Sequence, residues 1–169
     1  MRISEELSAA ISYAREEAMR TGSYTIGPDH LFLGLLRQGD NDATRFLSRS
    51  GIDLADCKRS IDAGIFHEHC IPYGDTDHVA LSRSGNKLLN LAGVEALKTG
   101  DSQTRPLHLL LALCREGEGL CCRYLALREI TTERIAAALP APAPAIPDPD
   151  PDALTRLLSA IPVRTDTPS

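Results

Sequence analysis

The sequence contains no tryptophan, and aromatic residues make up only 4% of its 169 residues. In a chain that is 43% hydrophobic, the core then has to be built from leucine, isoleucine and alanine. Such a composition favours helices over a β-sandwich or a barrel. The chain is long enough to bury a core of this kind without disulfide bonds or metal ions. We therefore expect an all-α domain.

The sequence also lacks a long apolar run. No segment approaches the roughly 18 apolar residues that cross a bilayer, and the N-terminus has no basic-then-apolar signal pattern. The net charge of −5 is small and both signs are mixed along the chain, which argues against a basic surface for nucleic acid. The five cysteines are odd in number and follow no recurrent spacing, as is typical of reduced thiols. We expect a cytoplasmic protein with neither nucleic-acid nor membrane partners.

The most informative feature is an internal repeat. Residues 11–53 align with residues 89–131 at a constant offset of 78 without a gap, and 15 of the 43 pairs are identical. The identical pairs include charged, histidine and leucine positions, among them Glu17/Glu95, His30/His108, Leu33/Leu111 and Arg37/Arg115. A match of this length predicts two copies of one structural unit.

Each copy has the pattern of four helices. The expected helices run from the Ser4 cap to Gly22, over 30–37, 42–49 and 53–65, and then from the Ser82 cap to Gly100, over 108–115, 119–127 and 131–139. Pro28 and Pro106 fit the first turn of the second helix of each copy. The prediction is therefore eight helices in two pseudo-twofold four-helix repeats. Repeat one spans 2–65 and repeat two spans 81–139, within a domain of residues 1–139.

Two segments lack this helical pattern. Residues 66–80 contain proline, glycine and aspartate, so we expect a solvated linker between the repeats. Residues 140–169 hold eight of the eleven prolines, which predicts a disordered, flexible tail. Within that tail, residues 152–161 have an apolar spacing that allows a short helix.

Two motifs carry a resemblance to a known family. Residues 17–22 read E-A-M-R-T-G, residues 26–37 read I-G-P-D-H-L-F-L-G-L-L-R, and residues 95–100 and 106–113 repeat the pattern. Over residues 2–139 the chain resembles the N-terminal domain of Clp-family ATPases, which typically reads E-A-x-x-x-G and then I-G-T-E-H-L-L-L-G-L. The resemblance implies a module without catalysis or cofactor that docks proteins: a Clp ATPase, the ClpP peptidase, an adaptor or a substrate.

The sequence contains no G-x-x-x-x-G-K-[ST] phosphate loop. Its nearest candidate, Gly85-Asn86-Lys87, lacks the upstream glycine. We therefore expect neither ATPase activity nor any other catalysis from this chain. Two interpretations stay open. One is a stand-alone adaptor or substrate-recognition protein of the Clp ATP-dependent protease system, and the other is the N-domain fragment of a longer Clp ATPase.

The family's ligand chemistry centres on the carboxylate of each G-T-E-H motif, which helps to hold the guanidinium group of phosphoarginine. The corresponding residue here is Asp29 in repeat one and Leu107 in repeat two. The resemblance therefore implies at most one such site, at Asp29, with Ser4 as a second candidate ligand residue. The alternative is that Asp29 stabilises the first turn of its own helix.

The linker contains a group of residues with metal-binding chemistry. His67, His69, Cys70 and His78 could supply ligands for zinc, and a metal-dependent enzyme built on them is the rival hypothesis. Their spacing matches no structural zinc motif, so a solvated linker is the preferred interpretation.

The remaining histidines and cysteines fall within predicted helices. His30 and His108 hold equivalent positions and are expected to pack and to form hydrogen bonds. We expect Cys114 in the core. Cys121 and Cys122 begin a helix, where a thiol pKa can fall, so they are the thiols expected to react, with at least one of them buried.

Overall fold

A computed structural model of the protein describes residues 2–65 and 67–139. Within these ranges the helices are α1 (Glu5–Arg20), α2 (Pro28–Gln38), α3 (Asp42–Arg49), α4 (Leu54–Gly64), α5 (Arg83–Lys98), α6 (Pro106–Glu116), α7 (Gly119–Leu127) and α8 (Thr132–Ala138). The prediction of an all-α fold with two four-helix repeats is confirmed. The expected tail, with its helix at 152–161, lies outside the described residues. None of the described helices has the length and apolar character needed to span a bilayer.

The helix ends follow from local side-chain chemistry. Ser4 and Ser82 cap α1 and α5, because each hydroxyl oxygen accepts the backbone N–H three residues further on. Gly39 and Gly117 end α2 and α6 in the left-handed region, with φ of 73° and 68°, where a side chain would be strained. These ends agree with the expected helices to within two residues.

Two very short parallel pairings join the repeats, and the sequence did not predict them. Strand β1 (Thr25–Ile26) pairs with β2 (Ala80–Leu81), with Ile26 opposite Leu81, and an isolated bridge joins Ile3 to Thr104. Because 26 + 78 is 104 and 81 − 78 is 3, the two pairings exchange under the pseudo-twofold relation. Pairings of one or two residues are too short to leave an alternating sequence pattern.

The core of each repeat is its second helix. Leu33 of α2 and Leu111 of α6 are 0% and 1% exposed, as the apolar pattern of these helices predicts. In repeat one the contact with α1 depends on Gly34, because a Cβ atom there would lie 2.2 Å from the carbonyl oxygen of Ala10. Close packing of this kind leaves little room for a change of volume.

A buried carboxylate is clamped in each repeat by cations of the same repeat. Glu17 on α1 accepts hydrogen bonds from Arg20 at 2.8 Å and from Arg37 of α2 at 3.2 Å. Glu95 on α5 accepts one from Arg115 of α6 at 2.7 Å. A carboxylate in such a position is tolerated only because it is paired. This requirement explains why both the glutamate and the arginine are identical in the two copies.

Substitution of Leu33 or Leu111 by alanine should lower the free energy of unfolding by about 2–5 kcal/mol, through lost burial and the cavity left behind. Leu127→Ala is the matched control, because Leu127 is 77% exposed and its truncation should cost less than about 0.5 kcal/mol. Urea unfolding followed by circular dichroism measures all three. A loss at Leu33 or Leu111 no larger than that at Leu127 would contradict the assignment of the core.

Candidate functional site

His30 is held by hydrogen bonds at both ring nitrogens. Its Nδ1 accepts the backbone N–H of Gly27 at 3.2 Å, and its Nε2 lies 3.1 Å from Oγ1 of Thr21. The Thr21 hydroxyl donates to the carbonyl oxygen of Ala18, so its lone pair is available to accept from Nε2–H. The ring is therefore neutral and protonated at Nε2, and it closes the N-terminus of α2.

His108 repeats this arrangement in the second copy. Its Nδ1 accepts the N–H of Arg105 at 2.9 Å, and its Nε2 lies 3.3 Å from Oγ1 of Thr99. Burial lowers the pKa of His108 and of His30, outweighing the nearby carboxylates that act in the opposite direction. The expected packing and hydrogen-bonding role of the two histidines is confirmed.

Asp29 contacts a helix of the other repeat. Its two carboxylate oxygens accept the backbone N–H groups of Leu120 at 3.1 Å and of Cys121 at 2.9 Å, at the start of α7. The N-cap residue of α7 itself, Glu118, makes no side-chain capping bond. Asp29 therefore caps α7 across the repeat boundary, while it also lies in the first turn of α2, the helix that the sequence alternative has it stabilise.

A glycine makes room for this contact. Gly119 has a φ of +94°, and a Cβ atom at this position would lie 2.8 Å from Oδ1 of Asp29. Only glycine satisfies the backbone conformation and the close approach together.

The pseudo-twofold relation brings a second pair of equivalent positions together, and there too a carboxylate caps a helix of the other repeat. The positions of the aspartate and of the capped residue are exchanged. Oδ1 of Asp42, on α3, accepts the N–H of Leu107 at 2.9 Å, at the start of α6. Because 29 + 78 is 107 and 42 + 78 is 120, the pair Asp29/Leu120 corresponds to the pair Leu107/Asp42. Each end therefore keeps one carboxylate cap, although the carboxylate of the G-T-E-H motif is missing at Leu107. Burial raises the pKa of Asp42.

Sequence reasoning missed Asp42. The only available signal was that the alignment at an offset of 78 places an aspartate of repeat one opposite a leucine of repeat two twice, in Asp29/Leu107 and Asp42/Leu120. Neither pair taken alone shows that the two positions meet across the repeat boundary.

Ser4 and Asp29 lie in different surroundings. Ser4 is buried, caps α1 and lines a polar pocket of about 170 Å³ together with Glu6, Asp42 and Arg105. Asp29 is not among the residues that line this pocket. The structure therefore does not bring the two candidate ligand residues together.

The candidate metal ligands of the linker are separately engaged. Nε2 of His67 lies 3.1 Å from the carbonyl oxygen of Asp62, and the Cys70 thiol donates to the carbonyl oxygen of Arg20 at 3.3 Å. Across residues 2–65 and 67–139, no three histidine, cysteine, aspartate or glutamate side chains come close enough to share a metal ion.

The linker is less solvated than its composition predicts. His67, His69 and Cys70 are exposed as expected, but Ile71 and Val79 are buried and join the hydrophobic core. Both are aliphatic residues that flank the polar 3-10 turn Tyr73–His78, and their burial fixes the linker on the domain.

The cysteines also differ from expectation. Cys121 and Cys122 are both buried, which removes the access on which their predicted reactivity depended, whereas Cys70 is exposed. A hydrogen bond to Cys122 raises the pKa of the Cys121 thiol, with burial acting in the same direction. Cys114 is half-buried against the core, and burial raises its pKa to about 12.

Comparisons with known proteins agree with the motif resemblance. The model of the family described as "Clp repeat (R) N-terminal domain" matches residues 2–140. Chaperone protein ClpB of Oceanobacillus iheyensis is 32% identical over 126 residues, which are 73% of this chain and 15% of ClpB. Negative regulator of genetic competence ClpC/MecB of Bacillus subtilis is 32% identical over 124 residues, again 73% of this chain and 15% of the relative. The chain thus spans about 15% of the length of these relatives.

Solved structures share the fold. One described as the complex of the ClpV N-domain with VipB peptide has a TM-score of 0.63 and 18% identity, covering 83% of this chain and 90% of that chain. At this level of identity the likeness concerns the fold alone.

The two helix-capping histidines make stability depend on pH. Their pKa values in the folded state lie below the ordinary value of 6.5, so unfolding takes up protons at acid pH. The contribution of the two histidines to the free energy of unfolding should be complete above pH 6.5. It should be lost as the pH falls from 6.5 through their folded-state pKa values. Urea unfolding at a series of pH values measures this dependence.

The matched variants separate these histidines from the exposed ones. Glutamine can reach back to the N-cap N–H without titrating, so His30→Gln with His108→Gln should flatten the decline below pH 6.5. The control, His69→Gln, alters an exposed ring and should leave the decline unchanged. An equal effect of the two changes, or a stability that rises on acidification, would contradict the assigned tautomers.

Proposed function

The chain belongs to the Clp repeat N-terminal domain family, and we propose that it is a docking module that recognises adaptor or substrate proteins for the Clp ATP-dependent protease system and performs no catalysis. The family match over residues 2–140 carries this proposal. The proposal holds equally for a stand-alone adaptor and for the N-domain of a longer Clp ATPase, because docking requires the same surface in both.

The positions of the chemically capable groups support a binding role. Six buried or half-buried acidic and histidine side chains are engaged in structure: Glu17 and Glu95 with arginines, His30 and His108 with backbone and threonine, and Asp29 and Asp42 with helix N-termini. A general base has to be free to take up a proton from a substrate. Groups already committed to these bonds stabilise the domain instead.

A related N-domain supplies the kind of partner to expect. The ClpV N-domain forms a complex with a peptide of VipB, and a peptide segment of a protein is the corresponding ligand proposed for this chain. All five cysteines are unpaired, which fits work in a reducing cytoplasm. Clp ATPase and ClpP subunits are the components we expect to be recovered with it.

Affinity capture from a lysate of the native host, followed by mass spectrometry, tests the docking role. The folded chain should retain Clp ATPase or ClpP subunits, or an adaptor that binds them, at several times the level of a control bait. The control is the same chain unfolded by heat before capture, which keeps the composition and loses the surface. Recovery of no Clp component above that control would contradict the proposal.

Phosphoarginine recognition through Asp29 and Ser4 stays a prediction. A carboxylate offers about four acceptor positions, and two of those on Asp29 are occupied by N–H groups of α7, so two are left for a guanidinium. Repeat two lacks this carboxylate at Leu107. The expected stoichiometry is therefore one site per chain, in repeat one.

Titration calorimetry with free phosphoarginine measures this site. Asp29→Ala should abolish binding, whereas Asp42→Ala removes the equivalent cap at the other end and should leave binding intact. Each variant loses one helix cap, at a cost of about 0.5–2 kcal/mol, so a thermal melt must first show that both are folded at the titration temperature. Two equal sites, or one site unaffected by Asp29→Ala, would contradict the role of Asp29.

A further inference from the structure

In repeat one, the C-terminal end of α1 is covered by the linker that follows α4. The backbone N–H groups of Glu68 and Ile71 donate to the carbonyl oxygens of Thr21 and Met19, both at 2.9 Å. The side chains of Met19 and Ile71 are both buried. An extended segment with one aliphatic residue therefore seals this surface, in the manner of a strand added to an edge.

In repeat two, no segment among residues 2–65 and 67–139 covers the equivalent surface. Because 19 + 78 is 97, Leu97 is the counterpart of Met19, and it is 78% exposed with Val94 beside it at 44%. Together with Asn90, Gly93 and Thr104, these residues line a mostly apolar groove of about 300 Å³. In the part of the chain that the structure describes, no other segment donates a hydrogen bond to the carbonyl oxygen of Leu97 or Thr99.

A single exposed leucine is ordinary on a protein surface and indicates nothing by itself. What distinguishes Leu97 is that the same chain contains a closed version of this helix end, at Met19, which the linker covers. The closed version shows which chemistry fits: two backbone N–H groups in an extended segment, and one aliphatic side chain packed on the residue at the helix end.

The charges at the rim of the open groove indicate what else the segment carries. In repeat one, Arg20 pairs with Asp62 from the end of α4 as well as with Glu17. Its counterpart Lys98 lies 3.9 Å from Glu95, and the position equivalent to Asp62 is a proline in the sequence. Arg2 is the cation in the lining of the groove, and the lining carboxylate, Asp101, is paired with Arg105 at 2.9 Å. The rim therefore complements a segment with an acidic residue, although the chain as a whole is acidic.

We propose that the groove of Val94 and Leu97 binds an extended segment of a partner protein that carries one aliphatic and at least one acidic residue. The aliphatic side chain packs on Leu97, the acidic one pairs with Lys98, and backbone N–H groups donate to the carbonyl oxygens of Leu97 and Thr99. This proposal rests on the docking role proposed above and names the surface and the ligand chemistry. It assigns the two repeats different roles, because the described residues cover this surface in repeat one and leave it uncovered in repeat two.

The linker itself supplies a probe. A fluorescein-labelled peptide with the sequence of residues 62–73, in which serine replaces the cysteine, contains the aspartate, the glutamate and the isoleucine of the closed version. Fluorescence anisotropy against the full chain should show saturable binding. Leu97→Ser should weaken it about tenfold or more, as expected for the loss of one buried leucine contact. Lys98→Glu should weaken it as well, and added salt should reduce that difference.

Leu127→Ser is the matched control, because Leu127 is as exposed as Leu97 but lies on α7, outside the groove lining. Its affinity for the peptide should stay within about twofold of the unaltered chain, a difference well under 1 kcal/mol. Equal weakening by Leu97→Ser and Leu127→Ser overturns the proposal. So does a peptide that binds unchanged when aspartate replaces the isoleucine corresponding to Ile71, or one that shows no saturable binding.

Two further measurements distinguish this proposal from self-association of the chain and from the broader docking role. Sedimentation of the chain alone should show a monomer. Self-association that Leu97→Ser abolishes would mean that a second copy of the chain occupies the groove, and it would overturn the proposal. Affinity capture with Leu97→Ser as bait should lose the partner retained by the unaltered chain. If the Clp components are retained in full, the groove proposal fails while the docking role stands; if neither bait retains them, the docking role itself fails.

Discussion

The two carboxylate caps across the repeat boundary hold the architecture together. Asp29 of repeat one closes α7 of repeat two, and Asp42 closes α6. A helix N-terminus leaves backbone donors that must be satisfied, and here they are satisfied from the other half of the molecule. Repeat two therefore depends on repeat one for a carboxylate cap at the start of two of its helices. The short parallel pairings act in the same sense, since both of them join one repeat to the other.

The sequence predicted the features that depend on residues close together in the chain. The helix ends at Ser4, Gly39 and Gly117, the burial of Leu33 and Leu111, and the bonded histidines follow from caps, apolar spacing and the gapless repeat. The buried linker residues Ile71 and Val79 were not foreseen, because composition alone does not show which linker side chains pack on the domain.

Contacts between the repeats lay beyond the sequence. The sequence indicates that Asp29 is a ligand residue or stabilises the first turn of its own helix, and it does not show the hydrogen bond to Leu120, which is 91 residues away. The exchange of Asp29/Leu120 for Leu107/Asp42 conceals the symmetry, because at each pair of positions the aligned residues differ. An internal alignment detects positions that carry the same residue in both repeats. The two carboxylate caps use different positions for the aspartate, so neither position carries the same residue in both repeats.

The Ile26–Leu81 and Ile3–Thr104 pairings have a consequence for how such a chain could arise. If the two repeats were separate, identical molecules, both pairings would become the same contact, made once in each direction between position 3 of one molecule and position 26 of the other. A self-complementary surface of this kind is what a twofold homodimer requires. The present single chain then corresponds to a fused dimer whose halves, once covalently joined, could diverge in sequence without losing their mutual fit.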